Sequence, residues 1–188
     1  MILKNKSLLD INFIVISEQP NYGRFQYTKN SIINNYGEKT SISCCVSKNS
    51  KEDLSLYKKQ IKTKIVKNKN ILELINEGII NSEKEWNIIV SEGIWIKPNV
   101  DKKYLVFTES EKDILFPISY ELDINGRIFN LKTNFIDCSF NGLLINKNCF
   151  LDVGNFIEED VVKSKLDWFI RANQKKCKFK SILGLKLI

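Results

Sequence analysis

The second half of this chain consists of short runs of apolar, aromatic and β-branched residues separated by polar turn residues. Such runs predict β-strands. The predicted strands are 86–90, 93–97, 104–108, 114–122, 128–133, 135–140, 143–145 and 150–156. Asn125-Gly126 and Asn141-Gly142 fit the type I′ turns of tight hairpins. The pattern therefore predicts a hairpin over 114–133 and a second one over 135–145.

The first half of the chain has a more mixed pattern. Residues 8–16 predict a short helix or strand, and residues 23–46 predict a hairpin that turns at 34–37. From Ser50, a candidate N-cap, the apolar residues recur at helical spacing. This change of period predicts one helix, with Leu54, Tyr57, Ile61 and Ile65 on its apolar face. Residues 72–80 fit either a helix or a strand.

The stretch from Trp168 to Leu183 is the most distinctive part of the sequence. An aromatic opening is followed by a polar joint at 172–174 and then by a strict alternation. Lys176, Lys178 and Lys180 fall on one side of the predicted strand, with Cys177 and Phe179 on the other. The lysines would point into the cavity of a closed barrel, or they would protect an exposed sheet edge from pairing.

These elements together predict a mainly β protein. Nine or ten strands with short connections, and one helix in the N-terminal third, favour an antiparallel up-and-down β-barrel. Closure of the barrel removes the exposed sheet edges. We expect residues 1–188 to form a single domain, with an interior that has room for one small ligand.

The net charge of +7 comes mainly from lysine, because the chain has only three arginines. Lysine, asparagine and isoleucine dominate throughout, as in proteins from AT-rich genomes, which weakens the case for a nucleic-acid-binding face. A non-enzymatic basic subunit of a larger assembly, such as an organellar ribosomal or phage structural protein, is an alternative. Its support is the lysine-rich segment 58–70. A nuclease is the weakest alternative, since Asn130 stands where an acidic partner of Lys132 is expected.

The chain contains no histidine, which excludes Ser-His-Asp and Cys-His nucleophilic systems and metal sites that need imidazole. Its five cysteines form no C-x-x-C pair, and their odd number argues against a full set of disulfides. We therefore expect a reducing compartment, cysteines packed as small core residues, and no metal site. The apolar N-terminal run is too short for a membrane span, and we interpret it as the first element of a soluble protein.

Five short motifs, in order along the chain, are similar to one family. They are Gly23, Phe25 and Lys29; the segment SISCCVSKNSKEDLSLYKKQ; Glu92, Gly93 and Trp95; residues 126–145; and Trp168-Phe169, Asn173, Lys176, Lys178, Lys180 and Ser181-Ile182-Leu183. In these motifs the chain resembles the CpcS/CpeS-type phycobiliprotein lyases. It departs from them by lysines in place of arginines, by about two extra residues after Asn173, and by Lys165 in place of an acidic residue.

The resemblance implies a lipocalin-like barrel that binds a linear tetrapyrrole, a bilin, as substrate. It also implies a chromophore lyase that attaches the bilin by a thioether bond to a cysteine of an apo-phycobiliprotein. Such an enzyme needs no permanent cofactor, and phycocyanobilin or phycoerythrobilin would be the substrate. The implied location is the plastid stroma or the cyanobacterial cytoplasm. A homo-oligomer, or a hetero-oligomer with a related lyase, would fit, whereas nucleic acid and a membrane span would not.

The resemblance also implies site residues. Lys29, Lys176 and Lys178 would neutralise the propionates of the bilin, and Trp95 would pack on its rings. Ser181 would bond a polar group of a ring, and Asn173 belongs to the same motif. A carboxylate among Glu158, Glu159 and Asp160 would pair with the pyrrole nitrogens.

Overall fold

The computed structural model describes most of the chain. The described ranges are 11–47, 54–58, 62–66, 70–96, 110, 112–117, 119–122, 128–132, 134–157 and 160–182, with the backbone alone in 62–66, 119–122 and 128–132. Seven described strands form one sheet: β1 (Ile11–Ser17), β2 (Ser41–Ser47), β3 (Lys62–Val66), β4 (Trp86–Ser91), β5 (Asp113–Pro117), β8 (Leu144–Asn146) and β9 (Lys178–Ile182). A separate ribbon pairs β6 (Ser119–Leu122) with β7 (Ile128–Lys132). The described helices are α1 (Tyr22–Tyr36), α2 (Ser55–Lys58), α3 (Ile71–Ile80), α4 (Lys147–Val153) and α5 (Val161–Gln174).

The large sheet is open and mostly parallel, with the strand order β3-β2-β1-β4-β8-β5-β9. β1 pairs in parallel with both β2 and β4, and β5 pairs in parallel with β9. Only β8 among these strands runs the other way, against β4 and β5. The antiparallel, lipocalin-like up-and-down barrel is therefore wrong. The helix α1 replaces the predicted hairpin over 23–46, because the parallel strands β1 and β2 need a crossover between them.

Helices cover both faces of the sheet, as a parallel sheet requires. On one face, Phe25 and Ile32 of α1 pack with Phe13 and Val15 of β1. On the other face lie α3 and α5, and alternate residues of the same strand, such as Ile14 and Ile16, pack against them. Every residue of β1 is buried, so this mostly apolar segment is a central strand that is covered on both sides.

The predicted strand over 23–33 is the helix α1. Asn21 caps it by accepting the backbone N–H of Arg24, and Gly37 ends it with a φ of 86° that favours glycine. Phe25 is fully buried while Tyr27 is 47% exposed, so these two rings do not share a strand face. The helix is weakly amphipathic because it carries many asparagines, and its period was therefore mistaken for alternation.

Other elements also differ from the predicted pattern. The helix expected to run from Ser50 to Ile65 is reduced to α2 in the described residues, and Ile65 lies in the strand β3. Residues 71–80 form the helix α3, which begins with a capping box between Asn70 and Glu73. The predicted strand over 150–156 starts within α4 instead, and residues 135–140 form turns.

Several strands were predicted correctly. The strands over 40–46 and 86–90 are β2 and β4, and the final alternating strand is β9. The hairpin over 114–133 exists in part, since Tyr120 faces Leu131 across β6 and β7. The expected strand over 93–97 is not regular structure in its described part, 93–96, and the one over 104–108 lies outside the described residues.

Candidate functional site at the carboxyl edge of the sheet

The parallel strands β1, β2 and β4 end side by side at one edge of the sheet. The helix α1 connects β1 to β2, its neighbour on one side, and packs on one face of the sheet. The neighbour on the other side of β1 is β4, which follows α3, and α3 packs on the opposite face. The connections thus diverge between β1 and β4. Open α/β sheets bind their ligands at such a topological switch point, beyond the carboxyl ends of the strands. This edge is the candidate site.

Glu92 lies at the switch point, directly after β4. Its backbone N–H donates to the carbonyl of Ile16 at 3.2 Å, which fixes it beside the end of β1. Its side chain is only 5% exposed although it carries a carboxylate. A buried carboxylate at the end of two central strands is rare unless it is paired, so its partners define the site.

Four donors surround the Glu92 carboxylate. Oε1 accepts the backbone N–H of Asn21 at 2.9 Å and lies 3.1 Å from Nη2 of Arg24. Oε2 accepts the hydroxyl of Tyr57 at 3.4 Å, and the hydroxyl of Ser17 is a further partner. Burial raises the pKa of Glu92, and the four donors oppose this by stabilising the anion. The loops after β1 and β4 and the helix α2 thus converge on one desolvated group.

Aromatic rings lie beside this polar group. Tyr57 is fully buried and packs on Phe25 with a centroid distance of 4.9 Å. Tyr22, at the first turn of α1, meets Tyr57 edge to face at 5.6 Å and remains half-buried. The Tyr22 ring is therefore an aromatic surface next to the switch point that solvent can still reach.

Ser47, the last residue of β2, has a buried hydroxyl at the same edge. Ser17 pairs with Val46, so Ser47 lies just beyond the end of β1. Its side chain is 1% exposed, and its hydroxyl has no hydrogen-bond partner in the part of the chain that the structure describes. Buried polar atoms are normally satisfied, so an unpaired one at a ligand-binding edge is a candidate ligand contact.

The loop that precedes β8 closes the other side of the switch point. Oδ1 of Asn141 accepts the backbone N–H of Ser91 at 2.6 Å, which ties this loop to the end of β4. The ammonium of Lys165, a buried residue near the start of α5, donates to the carbonyls of Ile136 and Cys138 in the same loop. It also lies 4.5 Å from the ring centroid of Phe140. Lys165 thus anchors α5 to the edge that carries the candidate site.

The residues predicted as bilin contacts do not come together. Three of them are exposed at the end of α5 and the start of β9: Asn173, Lys176 and Lys178. This position is at the amino ends of the parallel strands, opposite to the carboxyl ends that form the candidate site. Lys29 is buried within α1, and Trp95 packs on Tyr27 at 5.2 Å. Ser181 is exposed on β9.

The two lysines of the edge strand β9 differ in exposure. Lys178 is exposed, whereas Lys180 is partly buried and pairs with the buried Asp113 at 3.2 Å. Lys178 fits the interpretation in which lysine protects a sheet edge from pairing. The interpretation in which the lysines point into a barrel is wrong, because the sheet is open.

Of the three predicted catalytic carboxylates, the structure describes only Asp160. Asp160 caps α5, where its Oδ1 accepts the backbone N–H of Lys163 at 2.8 Å. Glu158 and Glu159 lie outside the described residues. The described residues include no group of three or more side chains that could hold a metal ion.

Sequence reasoning missed the residues that do converge. The sequence pattern assigns no role to Arg24, places Glu92 only in a motif of the lyase resemblance, and places Tyr57 on the apolar face of a helix. One signal was available: three apolar runs each end in serine, at Ser17, Ser47 and Ser91, and the last is followed by Glu92. Serial apolar runs with polar residues at their ends are typical of parallel strands whose carboxyl ends meet.

No protein-family model matches this chain, and no curated protein matches its sequence. Its fold, however, is similar to solved structures of TarS from S. aureus. The similarity to TarS has a TM-score of 0.62 at 14% identity, over 95% of this chain and 36% of TarS. TarS 1–349 gives a TM-score of 0.61 over 92% of this chain and 58% of that one. TarS 1–349 in complex with UDP gives 0.60, at 14% identity, over 92% and 57%.

These similarities establish the fold of this chain. It is a Rossmann-like α/β fold similar to that of the TarS structures, and the chain spans less than two thirds of each of them. The comparisons do not bear on the resemblance to phycobiliprotein lyases. The lyase function therefore stays a prediction, although the barrel fold that the resemblance implies is wrong. None of the helices in the described part of the chain meets the length and hydropathy that a bilayer crossing requires.

Proposed function

We propose that this chain is a glycosyltransferase domain that binds a nucleoside-diphosphate sugar at the carboxyl edge between β1 and β4. The observation that carries the proposal is the placement of Arg24 and Tyr22, at the start of α1, beside the buried Glu92 carboxylate at the switch point of this fold. A structure with the same fold is in complex with UDP, which makes a uridine nucleotide the first ligand to test.

Each of these groups suits one part of the donor. The half-buried Tyr22 ring can stack on a base, and base–aromatic stacking contributes about 1–3 kcal/mol. Arg24, whose side chain is 56% exposed, can donate to phosphate oxygens.

The proposed reaction is transfer of the sugar to an acceptor hydroxyl. The bond between the anomeric carbon and the phosphate oxygen breaks, and its electron pair leaves with the nucleoside diphosphate. The acceptor oxygen bonds to the anomeric carbon and releases its proton. Negative charge grows on the leaving diphosphate, so a cation fixed beside it accelerates the step. Arg24 is the cation that we assign to this task.

Binding of UDP to the purified protein tests the proposal. We expect UDP to raise the melting temperature, since a ligand at 100 times its dissociation constant stabilises the native state by about 2.7 kcal/mol. Tyr22→Ala should weaken UDP binding about tenfold, by calorimetry, because the stacking surface is lost. Tyr27→Ala is the matched control, since Tyr27 lies on the same helix but packs on Trp95. Absence of UDP binding at millimolar concentration, or equal binding by both variants, would overturn the assignment.

The bilin-lyase function remains a prediction from the resemblance, with its plastid or cyanobacterial location and its phycobiliprotein partner. Its test is the visible absorption spectrum of the protein mixed with phycocyanobilin or phycoerythrobilin. A red-shifted, sharpened band that passes to an added apo-phycobiliprotein would support it. If the Lys176→Ala/Lys178→Ala variant binds bilin with unchanged affinity, the propionate assignment is wrong.

A further inference from the structure

Two carboxylates follow the strands that form the switch point, Glu18 after β1 and Glu92 after β4. Sites for phosphorylated substrates commonly hold Mg²⁺ through one or two carboxylates together with the phosphates. Whether the proposed diphosphate site needs such an ion therefore depends on what these two carboxylates already bind.

The Glu92 carboxylate is fully engaged by the protein. Its Oε1 bonds the backbone of Asn21 and pairs with Arg24, while Oε2 accepts from Tyr57, and Ser17 is a further donor. With the side chain only 5% exposed, a hydrated cation has no access to either oxygen. To bind a metal ion, Glu92 would have to give up donors that stabilise its buried carboxylate, and a buried charge left without partners is strongly destabilising.

Glu18 also has a structural partner. Its Oε1 accepts the backbone N–H of Ile71 at 2.8 Å, at the first turn of α3. This bond satisfies one of the amides that a helix leaves unpaired at its start. In the described part of the chain, no third candidate ligand groups with these residues into a metal site.

Arg24 offers the positive charge that a metal ion would otherwise supply. Its Nη2 donates to the carbonyl of Gln19 at 3.0 Å as well as pairing with Glu92. The guanidinium has five N–H donors, and 56% of the side chain is exposed, so donors remain for a ligand. The remaining donors, on Nε and Nη1, can form charge-assisted hydrogen bonds to phosphate oxygens.

We propose that Arg24, held in place by Glu92, binds the diphosphate of the nucleotide without a divalent cation. The inference rests on the proposed function, because it names how that same site holds its ligand. Glu92 is then a positioning residue: it orients the guanidinium and makes no contact with the nucleotide. Arg24 is the specificity-determining contact for the diphosphate.

Calorimetric titration with UDP, in EDTA and in separate buffers with Mg²⁺ or Mn²⁺, tests the inference. We expect the dissociation constant in EDTA to agree with the values in metal within about threefold. Arg24→Ala should weaken UDP binding in EDTA about tenfold or more, the loss expected for a charge-assisted hydrogen bond. Lys178→Ala is the charge-matched control, because this exposed lysine lies at the opposite edge of the sheet.

A second variant covers the case in which Arg24→Ala unfolds the protein by leaving Glu92 unpaired. The double variant Arg24→Ala/Glu92→Gln removes both charges and should fold yet show the same loss of UDP affinity.

UDP binding that requires Mn²⁺ or Mg²⁺ would overturn this inference and leave the proposed function intact. Unchanged affinity of the double variant in EDTA would also overturn it. No UDP binding under any condition would instead refute the proposed function.

Discussion

Glu92 shows at the scale of one residue how burial and pairing compete. Burial raises the pKa of its carboxyl group, while Ser17, Arg24, Asn21 and Tyr57 act in the opposite direction. The same charge contributes to a raised pKa of the buried thiol of Cys44, after burial and Cys45. The anion is therefore present at some energetic cost, and that cost makes stability depend on pH.

We predict that the Glu92 contribution to stability falls as pH rises. In the unfolded chain the carboxyl titrates near its usual pKa of about 4.3, below its raised value in the fold. Between these two values the native state binds more protons than the unfolded state, so the free energy of unfolding decreases with pH. Urea unfolding from pH 4 to 7 should show wild type losing stability relative to Glu92→Gln. A difference that stays constant or changes in the other direction would contradict this.

At the scale of elements, α5 is the helix that completes one face of the sheet. Trp168 is fully buried, stacks near Phe150 and Phe156, and donates its indole N–H to the carbonyl of Gly154 at 2.8 Å. The helix ends at Gln174, and Lys176 follows with a φ of 61°. Lys176 is therefore part of the helix termination and not of the strand that its alternation with Lys178 predicted.

We predict that Lys176→Gly stabilises the protein by about 0.5–1 kcal/mol. A left-handed conformation strains a residue with a Cβ atom, and glycine adopts it freely. The matched control is Lys178→Gly, which places glycine in the strand β9 and should destabilise by a similar amount. Chemical denaturation of both variants measures the two effects. A loss of stability in Lys176→Gly would show that this turn is not under strain.

The strands show which elements the sequence could predict. β2, β4 and β9 were identified because short runs of β-branched and aromatic residues are a local signal. α1 was misread because Phe25 and Tyr27 imitate a strand face. α3 stayed undecided because a short apolar run fits either a buried strand or a buried helix.

At the scale of the whole molecule, the order of strands determines both the site and the distribution of stability. β1 has parallel neighbours on both sides and helices on both faces, whereas β3 and β9 lie at the two edges of the described sheet. The central strand should open only when the whole domain unfolds, since all its hydrogen bonds and contacts must break together.

Native-state hydrogen exchange should reflect this order. We predict that the amides of β1 exchange most slowly and those of β9 markedly faster, because β9 pairs with a single neighbour in the described sheet. Exchange measured by NMR or mass spectrometry under native conditions provides the comparison. Equal protection of β1 and β9 would contradict the assignment of β9 to a sheet edge.

The sequence by itself determined which segments are buried and where most of the central strands lie, because burial leaves a local pattern. It did not determine how those strands pair. The β1 residue Asn12 illustrates the reason: it is a polar residue within an apolar run, yet it is buried and bonds Ser43, Ser82 and Asn87, which lie 31 to 75 residues away. Parallel pairing joins strands across helices, and no local period encodes which neighbour a strand takes. The switch point between β1 and β4, and the meeting of Arg24 with Glu92 there, were therefore decided by the tertiary structure alone.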